Sequence, residues 1–89
     1  MIPRYPVYVI SKGRYASSLT SRSLARMGVE HRVVIEPTEF SLYASSLGAG
    51  RLLTLPFHDL GQGSIPARNW VWEHALASGA ARHWIMDDN

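Results

Sequence analysis

Eighty-nine residues, 46% hydrophobic and 18% charged, suit one small globular domain or a piece of a larger one, and exclude a disordered chain. The absence of cysteine excludes disulfides and thiolate metal sites, and a formal net charge of +2 is too small to argue for nucleic acid by itself. No apolar run approaches the ~20 residues of a membrane span, and the N-terminus lacks a signal-peptide pattern, so a soluble, cytoplasmic protein with no membrane partner is expected.

Strand and helix patterns alternate along the chain. Tyr5 to Ile10 is rich in β-branched and aromatic residues and reads as a strand, with Ser11-Lys12-Gly13-Arg14 as the turn after it. Thr20 can cap a short helix running through Met27 and closed by Gly28. Arg32 to Ile35 is a second strand, ended by Glu36-Pro37. Thr38 can cap a second helix, in which Phe40, Tyr43, Ala44 and Leu47 share one face and which Gly48 ends.

Arg51 to Leu55 is the third strand. A loop from Pro56 to Ser64 carries Gly61-Gln62-Gly63, and Ser64 can cap a third helix with Pro66 in its first turn. Ile65, Trp72, Leu76 and nearby alanines supply its expected buried face, and Gly79 stops it. His83 to Met86 is the fourth strand. Short, nearly continuous apolar strands separated by helix-length connections predict a mostly parallel four-stranded sheet covered on both faces. The expected architecture is a three-layer α/β/α sandwich, Rossmann-like, over residues 1–89. α/β enzyme domains usually run to about 100–150 residues or more, so a truncated domain is expected, with a natural small domain as the alternative.

Eight of the nine Lys and Arg residues are Arg, and Lys12 is the only lysine. Arg favours forked recognition of phosphate or carboxylate, although a genomic composition bias gives the same count. Asp87-Asp88-Asn89 comes after the fourth strand. Two carboxylates and an amide at a strand end are hard oxygen ligands suited to Mg²⁺ or Mn²⁺, and they equally suit a polar turn. Gly61 to Asn69 leads flexible glycines into a helix N-terminus, where free N–H groups favour anions and Arg68 can reach a phosphate. It matches neither a Walker loop nor a dinucleotide fingerprint, and an ordinary capped helix with a surface Arg fits it as well. The turn at Ser11, Lys12 and Arg14 and the acid Glu36 stand at strand ends, where doubly wound folds bind ligands. A solvated basic turn and a simple Glu–Arg pair are the alternatives. His58 and His74 have no metal-ligand spacing and read as structural or surface groups. Trp70, Trp72 and Trp84 read as core.

Together these pieces resemble a known pattern. The run from Pro66-Ala67-Arg68-Asn69, through a helix ended by Gly79, to Trp84-Ile85-Met86-Asp87-Asp88-Asn89 is similar to a segment of family 2 glycosyltransferases of the GT-A fold. There an apolar strand leads into the DxD metal motif. Pro6 to Arg14, Leu55-Pro56-Phe57 and Gly61 to Trp70 more closely resemble the TET-associated glycosyltransferases of phages, linked to sugar transfer onto oxidised 5-methylpyrimidines in DNA. The resemblance implies that Ser11, Lys12, Arg14, Glu36, Arg68 and Asp87 bind a nucleotide-sugar such as a UDP-sugar. It implies that Asp87, Asp88 and Asn89 stand at the Mn²⁺ or Mg²⁺ site. Asn89 replaces the final Asp of the family motif, so Asp87, Asp88 or both ligate the metal. Residues 1–89 would form the donor-binding half, with the catalytic base and the DNA groove in a missing C-terminal half. The 89-mer is then expected to be inactive as a transferase. A sugar-nucleotide nucleotidyltransferase on the same fold is one alternative. A non-catalytic degenerate module that dimerises through an exposed sheet is another.

Overall fold

The structure, a computed structural model, describes residues 3–58 and 61–87. Four strands form one sheet: β1 (Val7–Ile10), β2 (Arg32–Ile35), β3 (Leu52–Thr54) and β4 (Trp84–Asp87). Their order is β3-β2-β1-β4 and all pairings are parallel, with Val9 opposite Val33 on one side and Met86 on the other. Three helices connect them: α1 (Leu19–Arg26), α2 (Phe40–Leu47) and α3 (Ile65–Ala77).

The continuous apolar strands behave as a doubly covered sheet requires. Val33, Val34 and Ile35 on β2 are all fully buried. Alternate residues serve opposite faces. Val7, Val9, Val33, Ile35 and Leu52 pack with Leu24 of α1 and Tyr43 of α2, while Tyr8 and Val34 pack with Ala67, Val71 and Ala75 of α3. The chain therefore has three layers, with α1 and α2 on one face and α3 on the other. β1, β2 and β3 step outward in one direction, and β4 returns to the far side of β1. The order reverses between β1 and β4, which in open α/β sheets is where ligands bind.

Several local expectations need correction. The expected buried face of α3 holds only for its alanines: Ala67 and Ala75 are buried, with Val71 between them, while Ile65, Trp72 and Leu76 are 64%, 58% and 56% exposed. The helix carries apolar residues all round, so periodicity does not choose a side, and small side chains let a helix approach a sheet closely. Trp72 and Trp84 are accordingly exposed and are not core residues. Trp70 does pack against the core, stacked on His74, whose Nδ1 meets the Tyr8 hydroxyl at 2.8 Å.

The expected caps also shift. Ser18, in the left-handed region at φ 42°, precedes α1, and Thr20 lies inside the helix. Thr38 falls in a single 3₁₀ turn, Pro37–Glu39, before α2. Ser64 does precede α3, but its hydroxyl accepts from Arg68 Nε and makes no capping bond. Gly28 and Gly79 end α1 and α3 with φ of 73° and 81°, a conformation that costs other residues Cβ strain.

Candidate functional site

β1 delivers Ser11 to the carboxyl edge of the sheet. Ser11 is buried, its amide donates to the Val34 carbonyl, and its hydroxyl shares a 2.5 Å hydrogen bond with the Tyr43 hydroxyl. The same Tyr43 oxygen accepts from the Arg14 amide at 2.9 Å. The Gly13 amide donates to Glu39 Oε2 at 2.9 Å, and Gly13 has φ 68°. Two side chains from the segment 39–43 thus hold the basic turn from both sides. Lys12 Nζ stands 3.4 Å from Glu36 Oε1, so Glu36 pairs with the lysine.

β4 ends at Asp87, in register with Ile10 of β1. Thr20 of α1 fixes this strand tip by donating to the Asp87 carbonyl at 3.2 Å. Arg68, in the first turn of α3, donates Nε to Ser64 and Nη2 to Asp87 Oδ2, the latter at 2.6 Å. A cleft of about 400 Å³ opens between these groups. Ser11, Lys12, Arg14, Glu36 and Asp87 line it, with Ile10, Val34, Leu55 and Phe57 as apolar wall and Gly61, Gly63 and Ser64 along one rim.

Five of the six expected nucleotide-binding residues therefore surround one cleft, and the sixth, Arg68, is tied to it through Asp87. The position comes from topology, because the β1 turn and the β4 tip flank the reversal of strand order. Of the expected metal ligands, Asp87 is at the cleft, while Asp88 and Asn89 lie outside the described residues. Among the described residues, no three His, Cys, Asp or Glu side chains gather as a metal-binding group.

Chemically, the cleft offers cations and a helix N-terminus to an anion, carboxylates to hydroxyls or a cation, and an apolar wall to a ring. Tyr43, Glu39 and Thr20 escaped the sequence reading as site-supporting groups. Tyr43 registers in the pattern only as part of the apolar stripe of α2. Its hydroxyl was the available signal, since a buried Tyr needs a polar partner.

A parallel sheet wrapped by helices, with its cleft at the carboxyl ends of the strands, defines a Rossmann-like α/β protein. The profile of the family described as TET-associated glycosyltransferase, TAGT, matches residues 5–89, and the chain belongs to that family. Neither a curated protein nor a solved structure matches it.

Proposed function

We propose that residues 1–89 are the nucleotide-sugar-binding half of a GT-A glycosyltransferase. The reaction transfers a sugar from a UDP-sugar or similar donor to a hydroxyl, on hydroxymethylated pyrimidines of phage DNA. The observation that carries this reading is the convergence of Ser11, Lys12, Arg14, Glu36 and Asp87 on one cleft, with Arg68 joined to Asp87. Family membership supports glycosyl transfer in general.

In this reading the apolar wall receives the base, Glu36 accepts from a ribose or base donor, and Lys12, Arg14 and Arg68 meet the diphosphate. Asp87 is a hard oxygen donor at the strand tip, which fits a divalent cation that Asp87 would hold together with Asp88 and Asn89. Bound there, Mn²⁺ or Mg²⁺ would act as a Lewis acid on the diphosphate leaving group. The chain's own residues orient the donor and place positive charge where leaving-group charge develops. The acceptor and the catalytic base belong to a second half of the enzyme, so the 89-mer alone binds donor without transferring it.

Calorimetry of UDP with and without Mn²⁺ tests the proposal. Mn²⁺ is expected to tighten UDP binding, and Asp87→Ala combined with Asp88→Ala to remove that gain. Binding of UDP that ignores the metal in both proteins would refute it. The basic Lys12–Arg14 turn at the cleft also suits a nucleotidyltransferase that makes a sugar nucleotide. Full-length enzyme supplied with sugar 1-phosphate and NTP, or with UDP-sugar and a hydroxymethylated oligonucleotide, separates the two by product.

A further inference from the structure

A larger cleft, about 680 Å³, opens where the strands begin, at the end of the sheet away from Asp87. Arg4, Arg32, Arg51 and His31 line it, and among the described residues its only carboxylate is that of Glu30. Among the described residues none of the three arginines is ion-paired. Arg32 and Arg51 directly precede the paired residues Val33 and Leu52, so they enter adjacent parallel strands side by side. Arg51 is held there: its Nη1 donates to the His31 carbonyl at 3.2 Å and lies 3.2 Å from His31 Nδ1.

Like charges on neighbouring strands are destabilising, and a concave wall concentrates their field. Folding nevertheless assembles three cations around one hollow with a single acid, an arrangement that a bound anion would relieve. Guanidinium forks match the oxygens of a phosphate group, and the cleft volume falls in the range of small-molecule sites. A nucleic-acid backbone is met by a more extended row of cations than the three around this one cleft. We infer that this cleft binds the phosphate group of a small phosphorylated ligand, at a second site distinct from the cleft at Asp87. The inference is independent of the glycosyltransferase reading.

The test is an NMR titration of the 89-residue chain with inorganic phosphate, then pyrophosphate, at constant ionic strength with chloride as reference. Saturable shifts are expected at residues 30–32 and 48–51. Arg32→Gln and Arg51→Gln should each weaken binding about tenfold, the loss expected for one charged hydrogen-bonding group. Arg26→Gln, outside the cleft, should leave it unchanged. Because Arg51 also contacts His31, the exposed Arg32 is the decisive variant. Shifts that never saturate, shifts spread over every arginine, or an Arg32→Gln protein that binds as tightly as the original would overturn the inference. So would a response to duplex oligonucleotide with none to phosphate or pyrophosphate.

Discussion

Arg68 reaches from the first turn of α3 to the tip of β4 and pairs with Asp87, Nη2 to Oδ2 at 2.6 Å. The guanidinium thereby occupies the carboxylate that a divalent cation would use. The two side chains are 40% and 43% exposed, and pairs this open contribute only about 0–1 kcal/mol to stability. If Asp87 holds the proposed cation, the contact competes with it. Arg68→Ala should leave the melting temperature nearly unchanged and tighten Mn²⁺ binding severalfold in the absence of nucleotide, because the competing cation is gone. The same variant should weaken UDP binding about tenfold, through loss of one charged phosphate contact. Calorimetry with each ligand reads the two effects, and their opposite signs are diagnostic. If both affinities fell together, Arg68 would be supporting the strand tip and not competing for it.

The Tyr43 hydroxyl couples α2 to the basic turn through Ser11 and the Arg14 amide. Tyr43→Phe keeps the ring that fills the core and deletes only the oxygen. It should cost about 1–3 kcal/mol, the penalty for taking one hydrogen-bond partner away from buried polar groups. Denaturant midpoints measure that loss. At denaturant-free conditions where the variant is fully folded, UDP affinity should also fall, because Lys12 and Arg14 ride on the loosened turn. Unaltered UDP affinity in a destabilised variant would make Tyr43 a core residue alone.

The sheet was legible because its signal is local: apolar runs of four or so residues, closed in turn by Ser11, Glu36, Pro56 and Asp87, specify short strands without reference to partners. The gathering of Ser11, Lys12, Arg14, Glu36 and Asp87 at one cleft was legible for the same reason, since they stand at the carboxyl ends of those strands. The packing of α3 was not. Ala67, Val71 and Ala75 form a modest stripe beside the bulkier Ile65, Trp72 and Leu76, and size suggests the wrong one. Only the distance between helix and sheet decides, and that distance is a tertiary quantity. The supports at Tyr43 and Thr20 were hidden likewise, because their contacts cross 32 and 67 residues of sequence.

His31 is buried, with Nδ1 donating to the Val29 carbonyl at 2.9 Å and Nε2 meeting the Ser21 hydroxyl at 2.6 Å. Burial pushes its pKa down, the Val29 contact raises it, and nearby Arg51 lowers it further, for a net lowering. The unfolded chain therefore binds a proton near pH 6.5 that the folded chain resists. The stability contributed by neutral His31 is complete above about pH 6.5 and declines as the pH drops from there toward the lowered folded value. Urea midpoints at pH 7.5 and pH 5 should show the decline, and His31→Gln should reduce it relative to the unmodified protein. His58, His74 and His83 remain in both proteins, so the difference between them isolates residue 31. An identical decline in both would remove His31 as its source.

Among the described residues β4 is an edge strand whose one neighbour in the sheet is β1. Trp84 and Met86 lie in register with Val7 and Val9, on the face that α1 and α2 cover elsewhere, yet they are 56% and 36% exposed. Helix cover therefore runs short at this strand, and an uncovered indole and thioether sit beside backbone groups open to another strand. Such an edge invites pairing with a second chain. Light scattering should show a mass that rises with protein concentration. Trp84→Lys with Met86→Lys should hold the chain monomeric, since lysine on an edge strand blocks strand addition by charge while its stem still lies over the sheet. Trp84 is more than half exposed but Met86 is only 36% exposed, so the change removes some buried area and the melting temperature should fall modestly. A mass that stays monomeric at every concentration, or self-association that persists in the double variant, would place the contact elsewhere, with the exposed Trp72 and Leu76 of α3 as the next surface to alter.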